Sequence, residues 1–384
     1  MSSRRNPDVP SQEIERPRAR DLGIPFEGLQ GPHNAITDVS PVEVGHVTII
    51  EGEGDLVVGK GPIRTGVTVL HPQGADRHYE PVFAGWYSLN GFGELTGTTW
   101  IEEGGFLEGP IALTNTLSIG TVRNAILRWK TENERVDTRP LARSWRTPVV
   151  GETNDGKLND ILGFHVTEAH VRAAIDAASS GPVPEGSVGG GTGMVCHFFK
   201  GGIGTASRVI DTADGKFTVG VLVQANQGQR HTLRIAGVPM GDAFPDLMPQ
   251  VQPNKLHADG GSIIVVVATD APLLPHQLKR LARRVPLGIA RVGGMGDDDS
   301  GDIFIAFTTA NANIGKRSGI QTLRMLPNRQ MTPLFEGTTQ ATEEAIVNAL
   351  VAADDMTGIQ GNRVCALPTN RVREILRKHR RLAQ

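Results

Sequence analysis

The sequence predicts a layered α/β fold, and three observations carry that prediction. Short apolar runs rich in β-branched residues alternate along the chain with stretches of helical periodicity. One run, "SIIVVVATD" at residues 262–270, is uniformly apolar and reads as a strand covered on both faces. The 47 glycines and 24 prolines fall between the runs without any period, so they imply tight turns and close backbone approaches rather than collagen or a linker.

At 384 residues with 39% hydrophobic content, the chain is long enough to bury a sizeable core and reads as globular. Its 39 basic and 41 acidic residues give a net charge of -2, which argues against nucleic acid or an anionic membrane as a partner. The basic C-terminal "RVREILRKHRRLAQ" reads as a solvated helix face, because phosphate-binding surfaces recruit charge from several elements. Two cysteines, Cys196 and Cys365, cannot build a disulfide framework. No signal peptide and no membrane-length apolar run is visible, so a cytoplasmic protein is expected.

After a polar, Pro- and Arg-rich lead-in over residues 1–15, short strands are predicted in "VGHVTII", "TGVTVLH" and "PVFAGWYSL". A helix starts near Ser118, with Val122, Ile126 and Trp129 on one face. Another runs from Thr167 as N-cap, with Val171, Ala174 and Ile175 inward, to a stop at Gly181. A Gly-rich passage then leads into the strand "FTVGVLVQAN" and the apolar run at 262–270. "LLPHQLKRLARRVP" predicts one helix with Pro275 in its first turn and Leu274, Leu278, Leu281 and Val285 on one face. The strand "DIFIAFTTA" and the helices "ATEEAIVNALVAADD" and "TNRVREILRKHRR" complete the chain, with no internal repeat.

Familiar site motifs fail on spacing. The glycines around Gly189 lack both the Walker pattern and the strand-glycine-helix order of a dinucleotide fingerprint. In "HVTEAH" the histidines are five apart, which a helix separates by about 140 degrees, too far round for one metal. "DDDSGDIF" puts Asp302 where a calcium loop needs its glycine, and no G-x-S-x-G elbow is present. No metal or cofactor is expected. What remains are hydroxyls, amides and carboxylates in loops beside strands: Ser262, Ser300, Asp302 and Asn226. Each alone reads as a turn or cap residue.

Taken together, "RPRARDLGI", "GPHNAITDVSPVEVGHVTI", "LTNTLSIGTVRNAIL", "PVVGETNDGKLND", "GGGTGMVCHFFKGGIGTASR", "GVLVQAN", "GGSIIVVVATDAPL" and "GDIFIAFTTAN" resemble the DmpA family of self-processing aminopeptidases. That family includes L-aminopeptidase/D-esterases and β-peptidyl aminopeptidases. The resemblance implies a four-layer αββα sandwich, similar to N-terminal nucleophile hydrolases but with different connectivity. It implies a single catalytic domain over residues 16–384, cut between Gly261 and Ser262 into an α chain, 1–261, and a β chain, 262–384.

In such an enzyme the freed Ser262 is nucleophile and N-terminus at once. Its α-amine, with an unperturbed pKa of roughly 7.7 to 8, takes the Oγ proton. Glycine at 261 is expected to give the backbone the strained geometry that self-attack requires.

Carried over residue by residue, the resemblance gives Ser300 and Asp302 the orientation of the amine and hydroxyl, and Asn226 an oxyanion contact. Glu152 becomes the partner of the substrate ammonium, and Trp145 a pocket wall. Asn154 departs from the pattern, standing where aminopeptidase members have Tyr, which puts substrate preference in question.

The implied substrates are short peptides, amino-acid amides or esters with a free amine, and the implied assembly is a homo-oligomer of αβ units. The alternative is a β-peptidyl aminopeptidase or nylon-oligomer-type amide hydrolase using the same nucleophile. A non-catalytic binding protein has no need for the full residue set. An ornithine acetyltransferase relative typically presents Ala-Thr where this chain has Gly-Ser.

Overall fold

A computed structural model describes residues 17–133, 147–252, 261–311, 314–315 and 318–383. In chain order the first elements are β1 (Glu43–Glu51), β2 (Ile63–His71), β3 (Val82–Gly91), α1 (Thr98–Gly104), β4 (Phe106–Leu107), β5 (Ile111–Asn115), α2 (Ile119–Asn133) and β6 (Val149–Thr153). Next come α3 (Glu168–Asp176), the small hairpin β7 (Val195–Cys196) and β8 (Phe199–Lys200), the long pair β9 (Gly202–Thr212) and β10 (Gly215–Asn226), and a second small hairpin, β11 (Arg234–Ile235) and β12 (Val238–Pro239). The last third holds β13 (Ser262–Thr269), α4 (Pro275–Ala282), α5 (Val285–Arg291), β14 (Gly301–Thr308), α6 (Thr332–Ala352), β15 (Met356–Thr357), β16 (Arg363–Val364) and α7 (Thr369–Lys378).

Two sheets form the middle of the molecule, one ordered β1-β2-β5-β6 and the other β4-β3-β14-β13-β10-β9. Between them Leu70, Ile111, Leu113 and Val149 of the first meet Leu222, Ile264, Val266, Ile303 and Ile305 of the second. α2 and α3 cover the first sheet through Val122, Ile126, Val171 and Ile175. α4, α5 and α6 cover the second through Leu278, Leu281, Ile289, Ala345 and Leu350. The result is the αββα order of layers.

The uniform apolarity of β13 follows from its place. Ile263, Val265 and Val267 face the helices, Ile264, Val266 and Ala268 face the other sheet, and none of the six is exposed. Burial of such aliphatic side chains is worth about 1.5–3 kcal/mol each, so neither face tolerates a polar residue.

Three helices differ from the sequence reading. The helix predicted across "LLPHQLKRLARRVP" is two, α4 and α5, because Pro286 has no N–H to continue the first and its ring would strike the carbonyl four residues back. α3 ends at Asp176, not Gly181, since Ser179 leaves to exchange two backbone hydrogen bonds with Val44. α6 begins at Thr332, well before "ATEEAIVNALVAADD", with Pro333 in its first turn where a missing N–H costs nothing. No helix among the described residues is long and apolar enough to cross a membrane.

Candidate active site

The site grows from the N-terminal tip of β13. This strand lies between β10, antiparallel to it, and β14, parallel to it, with Ser262 opposite Asn226 on one side and Gly301 on the other. Ser262 is buried and shares its face with Ile264 and Val266, the face toward the other sheet. Asn226 ends β10 on that same face, so strand register alone brings a hydroxyl and an amide together.

Gly261 just precedes the strand. Its carbonyl accepts a 3.3 Å hydrogen bond from Gly301 N–H, and a Cβ at this position would sit 2.7 Å from Gln227 Cα and 2.8 Å from the Asn226 carbonyl oxygen. The observed need for glycine here is the close approach of backbones.

Asn226 is held at both ends of its amide. Val195 N–H donates to Oδ1 at 2.7 Å, and Nδ2 donates to the Asn154 carbonyl at 3.1 Å. Oδ1 faces a donor and is thereby fixed as the acceptor end, so one Nδ2 hydrogen is spent on Asn154 and the second is free to meet a developing oxyanion. The turn before Val195 is tied by Lys200. Its fully buried ammonium donates to the carbonyls of Gly191, Met194 and Gly201 at 3.3, 2.9 and 2.8 Å, and burial pulls its pKa down to about 7.

Ser300 and Asp302 flank Gly301 at the start of β14. Ser300 Oγ donates to Asp302 Oδ1 at 2.8 Å, and both side chains are buried. Burial pushes the Asp302 carboxyl up to about 6; the Ser300 hydrogen bond opposes this and the nearby Asp297 charge adds to it. A carboxyl in that range exchanges protons near physiological pH, which suits acid–base work.

Glu152 lies on β6, which pairs in parallel with β5. It is buried and accepts hydrogen bonds from the Thr116 hydroxyl and from Glu94 N–H, the latter at 3.0 Å. Burial raises its pKa, against which the Thr116 and Glu94 donors act. Gly93 joins this carboxylate to the strand tips: a Cβ there would stand 2.9 Å from Gly301 Cα and 3.2 Å from Glu152 Oε1.

Asn154 is exposed, and its Oδ1 accepts from Gly156 N–H at 2.9 Å. Its side chain therefore caps its own turn while its carbonyl holds Asn226. Trp145 lies outside the described residues.

Ser262, Gly261, Asn226, Asn154, Ser300, Asp302 and Glu152 thus belong to one neighbourhood. Three contributors were not assigned to the site from sequence: Thr116, Lys200 and the Val195 N–H. All three lie within the blocks quoted for the family resemblance, but their contacts are to groups that leave no local pattern. Chemically, a hydroxyl, an amide donor, a buried acid and a carboxylate with no cation beside it among the described residues fit acyl transfer on substrates bearing a cation.

Comparison with known proteins points the same way. Residues 34–364 match the description "Peptidase family S58". The chain is 52% identical to the beta-peptidyl aminopeptidase BapA of Sphingosinicella microcystinivorans, over 96% of this chain and 94% of that protein. Among solved structures it is similar to the L-aminopeptidase D-Ala-esterase/amidase of Ochrobactrum anthropi, a prototype serine aminopeptidase with a variant Ntn hydrolase fold, with a TM-score of 0.89 at 49% identity, covering 96% of this chain and all of the other. A Burkholderia sp. beta-aminopeptidase gives a TM-score of 0.83, also at 49% identity, covering 94% of this chain and 98% of the other. With its fold and these relatives in agreement, this chain belongs to peptidase family S58 and is a hydrolase.

Proposed function

We propose that the chain cuts its own Gly261–Ser262 bond and then acts as a serine aminopeptidase or amidase. It releases N-terminal residues from short peptides, amino-acid amides or esters through an acyl-enzyme on Ser262. The observation that supports this most is the register at the tip of β13, where Ser262 is flanked by Asn226 and Gly301 while Gly301 N–H already polarises the Gly261 carbonyl.

In the first step Ser262 Oγ attacks the Gly261 carbonyl carbon, its proton leaving by way of Ser300 and Asp302. The C–N bond breaks, the Ser262 nitrogen takes a proton, and water hydrolyses the resulting ester to a Gly261 carboxylate and a free Ser262 hydroxyl. In turnover the α-amine, with an ordinary pKa of roughly 7.7 to 8, accepts the Oγ proton and returns it to the leaving amine. Asn226 Nδ2 donates to the tetrahedral oxyanion, and Glu152 pairs with the substrate ammonium. The same proposal includes a single catalytic domain over residues 16–384 and a cytoplasmic homo-oligomer of αβ units, in keeping with near-neutral charge and two free cysteines.

Within this activity, β-amino acyl substrates are favoured by one specific observation. The chain is 52% identical to a beta-peptidyl aminopeptidase over 96% of its length. Paired kinetics on β-alanyl and α-alanyl amides test this: a higher kcat/KM for the β-amide supports it, and the reverse order rejects it. The nucleophile is tested by Ser262→Ala, which should remain uncut and show no amidase activity. Activity surviving in that variant would mean another nucleophile.

A further inference from the structure

Beyond the groups already assigned, the tip of β14 is held by a residue of the neighbouring strand. β3 pairs antiparallel with β14, and the ladder slips next to the site: Gly91 faces Gly301, Asn90 faces Asp302, but Ile303 faces Ser88. Leu89 is thus an extra residue, a β-bulge of the kind that re-aims side chains beside active sites. Ser88 Oγ donates to the Asn90 carbonyl at 2.7 Å and closes the bulge.

The re-aimed Asn90 uses both ends of its amide on one turn. Its Oδ1 accepts from Asp302 N–H at 2.8 Å, and its Nδ2 donates to the Asp297 carbonyl at 2.9 Å. That carbonyl also receives Ser300 N–H at 2.9 Å. The turn 297–302 is therefore clamped at its two ends, and between the clamped points lie Ser300 Oγ, the Gly301 N–H that meets the Gly261 carbonyl, and Asp302. A side chain at 301 is excluded, since its Cβ would come within 2.6 Å of Gly93 Cα. Backbone packing therefore sets the position of the Gly301 N–H, and Asn90 sets its direction.

We propose that Asn90 is a positioning residue for self-cleavage, its amide holding the Asp297–Asp302 turn so that the Gly301 N–H stays on the Gly261 carbonyl and Ser300 stays on Asp302. This rests on the reading that the chain cuts between Gly261 and Ser262. Two of the Asn90 contacts are to backbone atoms of the turn, and its amide also favours the charged form of the Asp302 carboxyl, so it acts through Asp302 and the turn rather than on the scissile bond. Misplacement by about 1 Å costs a reaction of this kind roughly 100-fold.

The test follows self-cleavage of the full chain by intact mass against time and pH, for wild type, Asn90→Leu and Asn90→Asp, with circular dichroism to verify folding. Leucine keeps the volume and removes both hydrogen bonds. Aspartate keeps the acceptor, loses the donor, and sets a charge beside Asp302, whose charged neighbour among the described residues is Asp297 on the same turn.

Both variants should cut roughly 10- to 100-fold more slowly than wild type at the same bond. In both the pH midpoint of cleavage should move upward, further in Asn90→Asp, a shift that a merely structural residue would not produce. If Asn90→Leu does not fold, Asn90→Asp carries the test alone. Wild-type rate and midpoint in the folded variants overturn the role of Asn90 and leave the self-cleavage reading intact. A wild-type chain that stays whole, or is cut elsewhere, overturns both.

Discussion

Two buried glutamates, Glu344 and Glu152, show how this fold separates support from chemistry. Glu344 on α6 is fully enclosed and receives Arg20 through Nε and Nη2 at 2.7 and 2.8 Å, Arg208 at 2.7 Å and Asn34 at 2.6 Å. Burial pulls its pKa up, but the Arg20 hydrogen bond and the Arg208 and Arg20 charges outweigh it, holding the carboxyl below its ordinary range. Glu152 is nearly as buried, yet among the described residues it has a hydroxyl and an N–H for partners and no cation, and its pKa is raised. A buried carboxylate normally demands a cation. Glu344 has two within the fold, tying the start of the described chain to β9 and α6, whereas Glu152 has none among the described residues, which is what the proposed pairing with a substrate ammonium requires.

Glu344→Ala leaves Arg208 buried without its carboxylate and should cost about 3–5 kcal/mol of stability in denaturant unfolding, while kcat/KM per folded molecule stays unchanged. Unchanged stability would remove the contrast.

Glu152→Gln sharpens the other half. Losing a charge-assisted contact should raise KM for free-amine amides roughly 10- to 100-fold, leave N-acylated esters unaffected, and shift the melting temperature by only a few degrees. Equal losses on both substrate types would make Glu152 structural as well.

A smaller effect lies in pH. With its pKa raised by burial to about 6, Asp302 is protonated below that value and no longer accepts the Ser300 proton. Self-cleavage of the intact chain should therefore fall about tenfold per pH unit below about 6, and Asp302→Asn should flatten that limb. For stability the sign is opposite: a folded-state pKa above the ordinary carboxylate value means that stability declines as pH rises through about 6. The smallest change is expected from Asn154→Tyr, a few-fold shift in the ratio of kcat/KM on α- and β-amino amides, because Asn154 is exposed and its backbone carbonyl, not its side chain, holds Asn226.

Much of this was legible in the residues themselves. The unbroken apolarity of 263–268 announced a strand covered on both faces, and that is where β13 lies. The helical spacing of Val122, Ile126 and Trp129 gave α2 its inward face. What stayed hidden depends on partners distant in sequence. Gly261 looked like a source of backbone freedom, but only the approach of residues 226 and 227 shows that it is needed for space. Pro286 was visible, yet the apolar spacing running through it masked the break between α4 and α5. Asn90 acquires its contacts from a bulge that no local pattern marks, and Thr116 meets Glu152 because β5 and β6 run in parallel.

Catalysis by the Ser262 amine and hydroxyl requires Ser262 to be the first residue of a chain. Intact mass together with N-terminal sequencing of the purified protein measures this directly. Two polypeptides, the shorter beginning Ser-Ile-Ile-Val, are predicted; a fully active, uncut chain of 384 residues would contradict the account.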